Sequence, residues 1–232
     1  MKGVSSAKAI IGALAGRFLF RHGTVTAVTR LSEHFTRFDV EGPQLAGARF
    51  VPGDKVQLFL AGEGMRTYTP VEWDAAGKTF FVGFVHDEAG PGVRWLRALK
   101  VGDEAALFGP RRSLDASALP GPLVLVGDET SLAVAAALTR AKPGRHVTAL
   151  LESSHPDEVK QVASALGLSH LTVTARGKLE APLLAQLDVG ATPLFTGRAA
   201  TIQALKQALR AQQRAPGGLT KAYWAEGKRG LD

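Results

Sequence analysis

The feature that most constrains this chain is a change of texture near residues 116–121. Before it, from Gly23 to about Phe108, short runs rich in β-branched and aromatic residues are broken by glycine and proline: GTVTAVTRL, FTRFDVE, DKVQLFL, RTYTPVE, KTFFVGFVH and DEAALF. Such spacing, with turn signals between runs, predicts an antiparallel barrel or sandwich. One helix interrupts the series, GPGVRWLRALKVGD, with proline near its start and Val93, Leu96 and Leu99 at helical spacing. After Ala116 to Gly121, apolar strand runs alternate with helical ones: PLVLVG, DETSLAVAAALTRA, RHVTALLE, HPDEVKQVASALG, HLTVTA, KLEAPLLAQL, TPLFTG and AATIQALKQALRAQQ, with a last strand in GGLTKAYWAEG. Strand and helix in turn predict an open parallel α/β sheet with right-handed crossovers.

The 232 residues, 45% of them hydrophobic, suffice for two domains with substantial cores. The expected organisation is an N-terminal helix over 1–22, a barrel over 23–116 and an α/β domain over 117–232. The opening MKGVSSAKAIIGALAGRFLFRHG has the basic start and apolar run of a secretory signal, but Arg17 interrupts it. Ile10, Leu14 and Phe18 fall instead at the spacing of an amphipathic helix packed on the barrel. No run reaches the roughly 18 apolar residues of a membrane span, so no stable membrane insertion is expected.

With no cysteine, disulfides, thiolate zinc sites and cysteine-ligated iron–sulfur clusters are excluded, and redox chemistry requires an organic cofactor. This suits a reducing cytoplasm. The net charge of +7 favours anionic partners, yet it is spread rather than concentrated in a basic tract with interleaved aromatics, so nucleic acid is not expected. The six histidines show no ligand spacing along the chain, and no protein-bound metal is expected.

Three stretches carry candidate chemistry. In MRTYTP, read as one strand, Arg66 and Tyr68 share a face about 7 Å apart, where a cation and a ring could serve the phosphate and the flat ring of one ligand. An ordinary edge strand with a solvated arginine is the competing reading. In FVGFVHDEAGPGVRW, Gly90, Pro91, Gly92 and Val93 open the helix, whose free N–H groups suit a diphosphate. In LVLVGDETSLAV a buried strand ends at Gly127, and Asp128, Glu129, Thr130 and Ser131 stand where open α/β sheets bind ligands. There the competing reading is a capped helix start on Asp128 or Thr130.

Taken in order, MRTYTP, FVHDEAGPGVRW, LFGPRRSL, LVGDETSLAV and AYWAEGKRG resemble the siderophore-interacting proteins, flavin-dependent ferric-siderophore reductases of the ferredoxin-NADP reductase superfamily. The resemblance implies a Greek-key FAD-binding barrel followed by a parallel-sheet nucleotide-binding domain of the ferredoxin reductase type. It implies that electrons pass from NAD(P)H, or from ferredoxin, through FAD to an anionic ferric siderophore, whose iron is released as ferrous. By similarity, Arg66 would pair with the FAD diphosphate, Thr67 would belong to the same motif, Tyr68 would pack on the flavin, and Thr69 would lie near its N5 as the catalytic position. His86, Gly90, Pro91, Gly92, Val93 and Trp95 match the next flavin-binding segment. Gly127, Asp128, Glu129, Thr130 and Ser131 match the start of the nucleotide domain, and Tyr223 and Trp224 an aromatic pair covering the flavin. Lys221, Lys228 and Arg229 would receive the siderophore.

Two departures stand out. Many members have an arginine just after RTYT, where this chain reads Pro70, Val71 and Glu72, and many have glycine-glutamate where it has Gly197 and Arg198. Arg198 and Arg176 are candidates for a 2′-phosphate, favouring NADPH. A general flavin reductase with another acceptor, or a binding module without flavin, are the alternatives.

Overall fold

In a computed structural model of the protein, residues 20–60, 64–86, 90–142 and 144–227 are described. The expected N-terminal helix therefore lies outside the described residues, apart from residues 20–22. Strands β1 (Arg21–Arg30), β2 (Phe35–Glu41), β3 (Lys55–Leu60), β4 (Gly64–Tyr68), β5 (Pro70–Trp73), β6 (Lys78–Phe84) and β7 (Glu104–Arg111) form one antiparallel sheet in the order β4-β3-β7-β1-β2-β6-β5. The sheet curls into a nearly closed barrel. Period-two alternation sends Val56, Leu58 and Leu60 of β3 inward, against Val25, Phe38, Phe81 and Leu107. Helix α1 (Pro91–Ala98) seals one end with Val93, Leu96 and, just beyond it, Leu99.

The run RTYTPVE is two strands rather than one. β4 pairs with β3 and β5 pairs with β6, at opposite ends of the strand order. The break falls at Thr69 because Pro70 has no N–H with which to continue a ladder. The barrel comes nearly to closure across this point.

The second half is a parallel sheet in the order β10-β9-β8-β11-β12, built from β8 (Leu123–Asp128), β9 (Val147–Glu152), β10 (Leu171–Thr174), β11 (Thr192–Arg198) and β12 (Leu219–Trp224). Helices α2 (Leu132–Ala141), α3 (Pro156–Ala165), α4 (Glu180–Asp188) and α5 (Ala199–Ala211) supply the crossovers. Both faces of β8 and β9 are covered, so every residue in them is buried.

A single apolar cluster joins the halves. Phe35, Val71, Phe80 and Val82, on the barrel's outer face, meet Leu132, Ala133 and Ala136 of α2. The alanines of α2, buried from Ala133 to Ala137, let helix, sheet and barrel approach closely. Arg140 Nη1 donates to Glu72 Oε1 at 2.8 Å across the same junction. The acid standing where an arginine was expected from the resemblance is thus an interdomain contact. No helix among the described residues is long and apolar enough to cross a membrane.

Candidate functional site

The barrel supplies the first wall. On β4, Arg66 and Tyr68 are partly buried on one face while Met65 and Thr67 point to solvent, as strand alternation requires. The Tyr68 ring rests on Phe38, Trp95 and Phe81, with centroids 5.7, 6.1 and 6.3 Å away. Burial pushes its phenol pKa well above the usual range, opposed by the charge of Arg66. Opposite stands the start of α1, with Gly90 as an N-cap lacking a side-chain bond, Pro91 in the first turn and no acid there. A methyl group at Gly92 would lie 3.7 Å from Arg66 Cγ and 3.8 Å from Tyr68 Oη, so the helix start faces the Arg66–Tyr68 pair directly. Arg66 donates to the Met65 carbonyl at 2.7 Å. Among the described residues no carboxylate lies in ion-pair range of it.

Asp128, Tyr223 and Trp224 of the α/β domain, with Thr69 and His86 of the barrel, form the second wall. Thr69, at the strand break, lies beside the Tyr223 hydroxyl, whose pKa burial drives up and Thr69 draws down. Trp224 Nε1 donates to Asp128 Oδ2 at 2.7 Å, and the edge of its ring meets His86 with centroids 5.7 Å apart. Asp128 Oδ1 accepts from the Thr130 N–H at 2.9 Å and from the Thr130 hydroxyl. The capping reading of Asp128 is therefore realised, on a 3-10 turn over Glu129–Ser131 that precedes α2. Burial raises the Asp128 pKa, and the bonds from Thr130 and Trp224 oppose that shift. Gly197 makes the arrangement possible: its φ is +84°, and a Cβ there would stand 2.7 Å from the Asp128 carboxylate.

The strand ends of β8 and β9 are acidic. Glu129 is 2% exposed and accepts from Arg176 Nη2 at 2.5 Å, while its Oε2 has no partner. Burial raises the Glu129 pKa, the neighbouring Asp128 adds to this, and Arg176 opposes it. Glu152 accepts from Thr201 Oγ1 at 2.5 Å and from the Gly177 N–H at 2.7 Å, and Arg176 Nη1 lies 3.8 Å from it. Arg198 pairs with Glu226 and lies 5.7 Å from the Trp224 ring centre. Both sequence candidates for a 2′-phosphate thus have carboxylate partners, Arg176 with the buried Glu129 and Arg198 with the exposed Glu226.

The structure thus assembles Arg66, Tyr68, Gly92 and Trp95 on one side of the seam, and Thr69, His86, Asp128, Tyr223 and Trp224 on the other. Thr67 points away from the pair, as its exposure shows. Gly127 is buried beneath Ser131, which accepts from Thr196 Oγ1 at 2.8 Å, so both act in seating the 3-10 turn. Lys221 lies partly buried on β12; Lys228 and Arg229 fall outside the described residues. The sequence reading missed the tie from Trp224 to Asp128 and the acids that engage Arg176 and Arg198. The only local signal for these was an unexplained glycine at the end of β11. A 630 Å³ concavity lined by Pro122, Arg145, His146 and Gln186 lies at the opposite edge of the sheet and touches none of these groups.

Residues 62–114 match the family model of the siderophore-interacting FAD-binding domain. Among solved structures, a siderophore utilization protein from T. fusca is 24% identical, with 92% of this chain and 95% of that one covered at a TM-score of 0.70. The siderophore-interacting protein SipS from Aeromonas hydrophila is 21% identical, with 90% and 93% covered and a TM-score of 0.68. A ferredoxin NADP+ reductase from Neisseria gonorrhoeae, solved with FAD and NADP, is 16% identical, with 89% and 99% covered and a TM-score of 0.72. No curated protein sequence matches this chain. The architecture is that of the ferredoxin reductase fold.

Proposed function

We propose that the protein is a cytoplasmic FAD-dependent oxidoreductase whose acceptor is a ferric siderophore, with a barrel domain over 23–116 and a nucleotide-type domain over 117–232. The observation that carries this reading is the seam itself. A partly buried cation and a tyrosine face an acid-free helix start on one side, and a threonine and a tyrosine lie beside a tethered tryptophan on the other. The match of residues 62–114 to an FAD-binding family model supports it independently.

The residues fit the group. Arg66, with no carboxylate among the described residues to neutralise it, and the uncapped N–H groups of α1 suit a diphosphate. Gly92 leaves space between them that a larger side chain would fill. FAD, when bound, supplies the exchange between two-electron and one-electron transfer that ferric iron requires. The chain's part is to bind and orient. Tyr68 and Trp95 wall the ring site, Tyr223 stands beside Thr69, and Asp128 fixes the Trp224 indole. Hard oxygen ligands hold ferric iron better than ferrous iron, so reduction loosens the metal without a protein ligand. Lys221 on β12, with Lys228 and Arg229 a few residues further along the chain, is our candidate for receiving the anionic chelate.

The strand-end acids bear on the choice of electron donor. With Arg176 and Arg198 engaged by carboxylates, NADPH gains no advantage over NADH from its 2′-phosphate, and reduced ferredoxin is the competing donor. The test is the visible spectrum of the purified protein, followed anaerobically after NADH, NADPH or reduced ferredoxin and then a ferric siderophore. A flavin spectrum that bleaches with a donor and returns with the ferric chelate supports the proposal. A protein that cannot be reconstituted with FAD overturns it.

A further inference from the structure

His34, on the turn between β1 and β2, and His155 and Glu158, at the start of α3, converge from opposite halves of the molecule. One ligand-capable atom from each lies within 4.8 Å of the other two. Glu158 is oriented at both oxygens. Its Oε2 accepts from the Ser32 hydroxyl at 2.5 Å and from the His34 N–H at 3.0 Å. Its Oε1 lies 2.8 Å from His34 Nδ1 and 3.8 Å from His155 Nδ1. All three side chains are partly buried, and the trio is separated from His86 by the Phe84 ring, whose centre is 4.8 Å from that of His86 and 6.0 Å from that of His34.

We propose that His34, His155 and Glu158 form a binding site for a divalent transition metal of the zinc type, completed by water, that bridges the barrel and the α/β domain. Two imidazoles and one carboxylate are a recurrent donor set for zinc, with metal–ligand distances of about 2.0–2.2 Å. Separations of 2.8 and 3.8 Å between donor atoms bracket the roughly 3.3 Å expected around a tetrahedral ion with such bond lengths. The hydrogen bonds from Ser32 and the His34 backbone do for Glu158 what outer groups do in established sites: they fix one oxygen, while the other would exchange its 2.8 Å contact with His34 Nδ1 for the ion, the shared proton leaving as the metal binds. The two rings are stacked, with centroids 3.9 Å apart and planes inclined at 27°, so both cannot direct lone pairs at one ion as they stand. Binding of the ion therefore requires a turn of the His155 ring about its Cβ–Cγ bond, a soft torsion for an aromatic side chain.

The site rests on geometry alone and is independent of the flavin reading, so its test reads metal binding rather than turnover. Zinc(II) is titrated calorimetrically into the full chain after chelator treatment, alongside His155→Ala and Glu158→Gln. Circular dichroism and the metal-free unfolding midpoint establish that each variant is folded. The expected result is one tightly bound zinc per chain. Each variant should bind at least about 10-fold more weakly. At saturating zinc the parent midpoint should rise by about 5 °C, with no comparable rise in the variants. No binding up to millimolar zinc, or equal binding by parent and variants, overturns the site and leaves the trio as a hydrogen-bonded contact between domains.

Discussion

At the scale of single residues, the seam depends on a few side chains whose partners are specific. Arg66 is the accessible cation facing the start of α1. Replacing it by alanine should weaken FAD binding about 10-fold or more, since a charge-assisted bond to phosphate is worth about 1.5–3 kcal/mol; titration of the apoprotein with FAD, read by flavin fluorescence, checks this. Trp224 gives its indole N–H to an aspartate that is 1% exposed. Trp224→Phe should cost about 1–3 kcal/mol in denaturant unfolding, because the ring is kept but a buried acceptor loses a donor. Asp128→Asn in the same background should recover part of that loss, since it removes a buried charge. The Arg66 and Tyr68 pairing was legible in the sequence, because strand alternation alone places them on one face. The tie between Trp224 and Asp128 was not, because nothing local in a tryptophan on β12 indicates which strand end it will reach.

At the scale of elements, two junctions hold the geometry. The end of β11 approaches the β8 turn only because residue 197 lacks a side chain. Gly197→Ala therefore combines a left-handed backbone with a Cβ 2.7 Å from the Asp128 carboxylate. It should destabilise the fold by about 2–4 kcal/mol and disturb Trp224, readable as a change in tryptophan fluorescence. The second junction is the β1–β2 turn on α3. Burial tends to raise the Glu158 pKa, but hydrogen bonds from Ser32 and from the backbone and ring of His34 outweigh it and bring it down to about 2. A carboxylate depressed in the folded state contributes stability that is present above its unfolded pKa, about 4.3, and is lost as pH falls from there towards 2. Allowing for solvent screening at this partly exposed group, the contribution is about 1–2 kcal/mol. Unfolding free energies measured between pH 5 and 2 should converge for parent and Glu158→Gln. A constant difference across that range would show that the carboxylate charge is not what the junction uses. The strands and helices at both junctions were legible from periodicity, whereas the break at Thr69 was not, because a proline in a β-run allows either an edge strand or a change of partner.

At the scale of the whole molecule, the net charge of +7 is what an anionic ferric chelate would meet if the proposed function holds. Raising ionic strength from about 0.05 to 0.5 M shortens the Debye length severalfold. The apparent KM for an anionic ferric siderophore should then rise, with little change for a neutral acceptor; equal behaviour of the two would remove electrostatic docking from the account. The order of texture along the chain, short β-runs and then alternating strand and helix, determined the barrel and the parallel sheet, because side-chain period and turn residues act over neighbouring positions. Tertiary structure alone decided which charges are available and which groups meet. Arg176 and Glu129 are 47 residues apart in the chain, Trp224 and Asp128 are 96 apart, and His34 and Glu158 are 124 apart. Pairing over such separations is created by how strands order and helices cross over. Two arginines that sequence offers to a phosphate thereby acquire carboxylate partners, and histidines with no ligand spacing along the chain come to face one carboxylate.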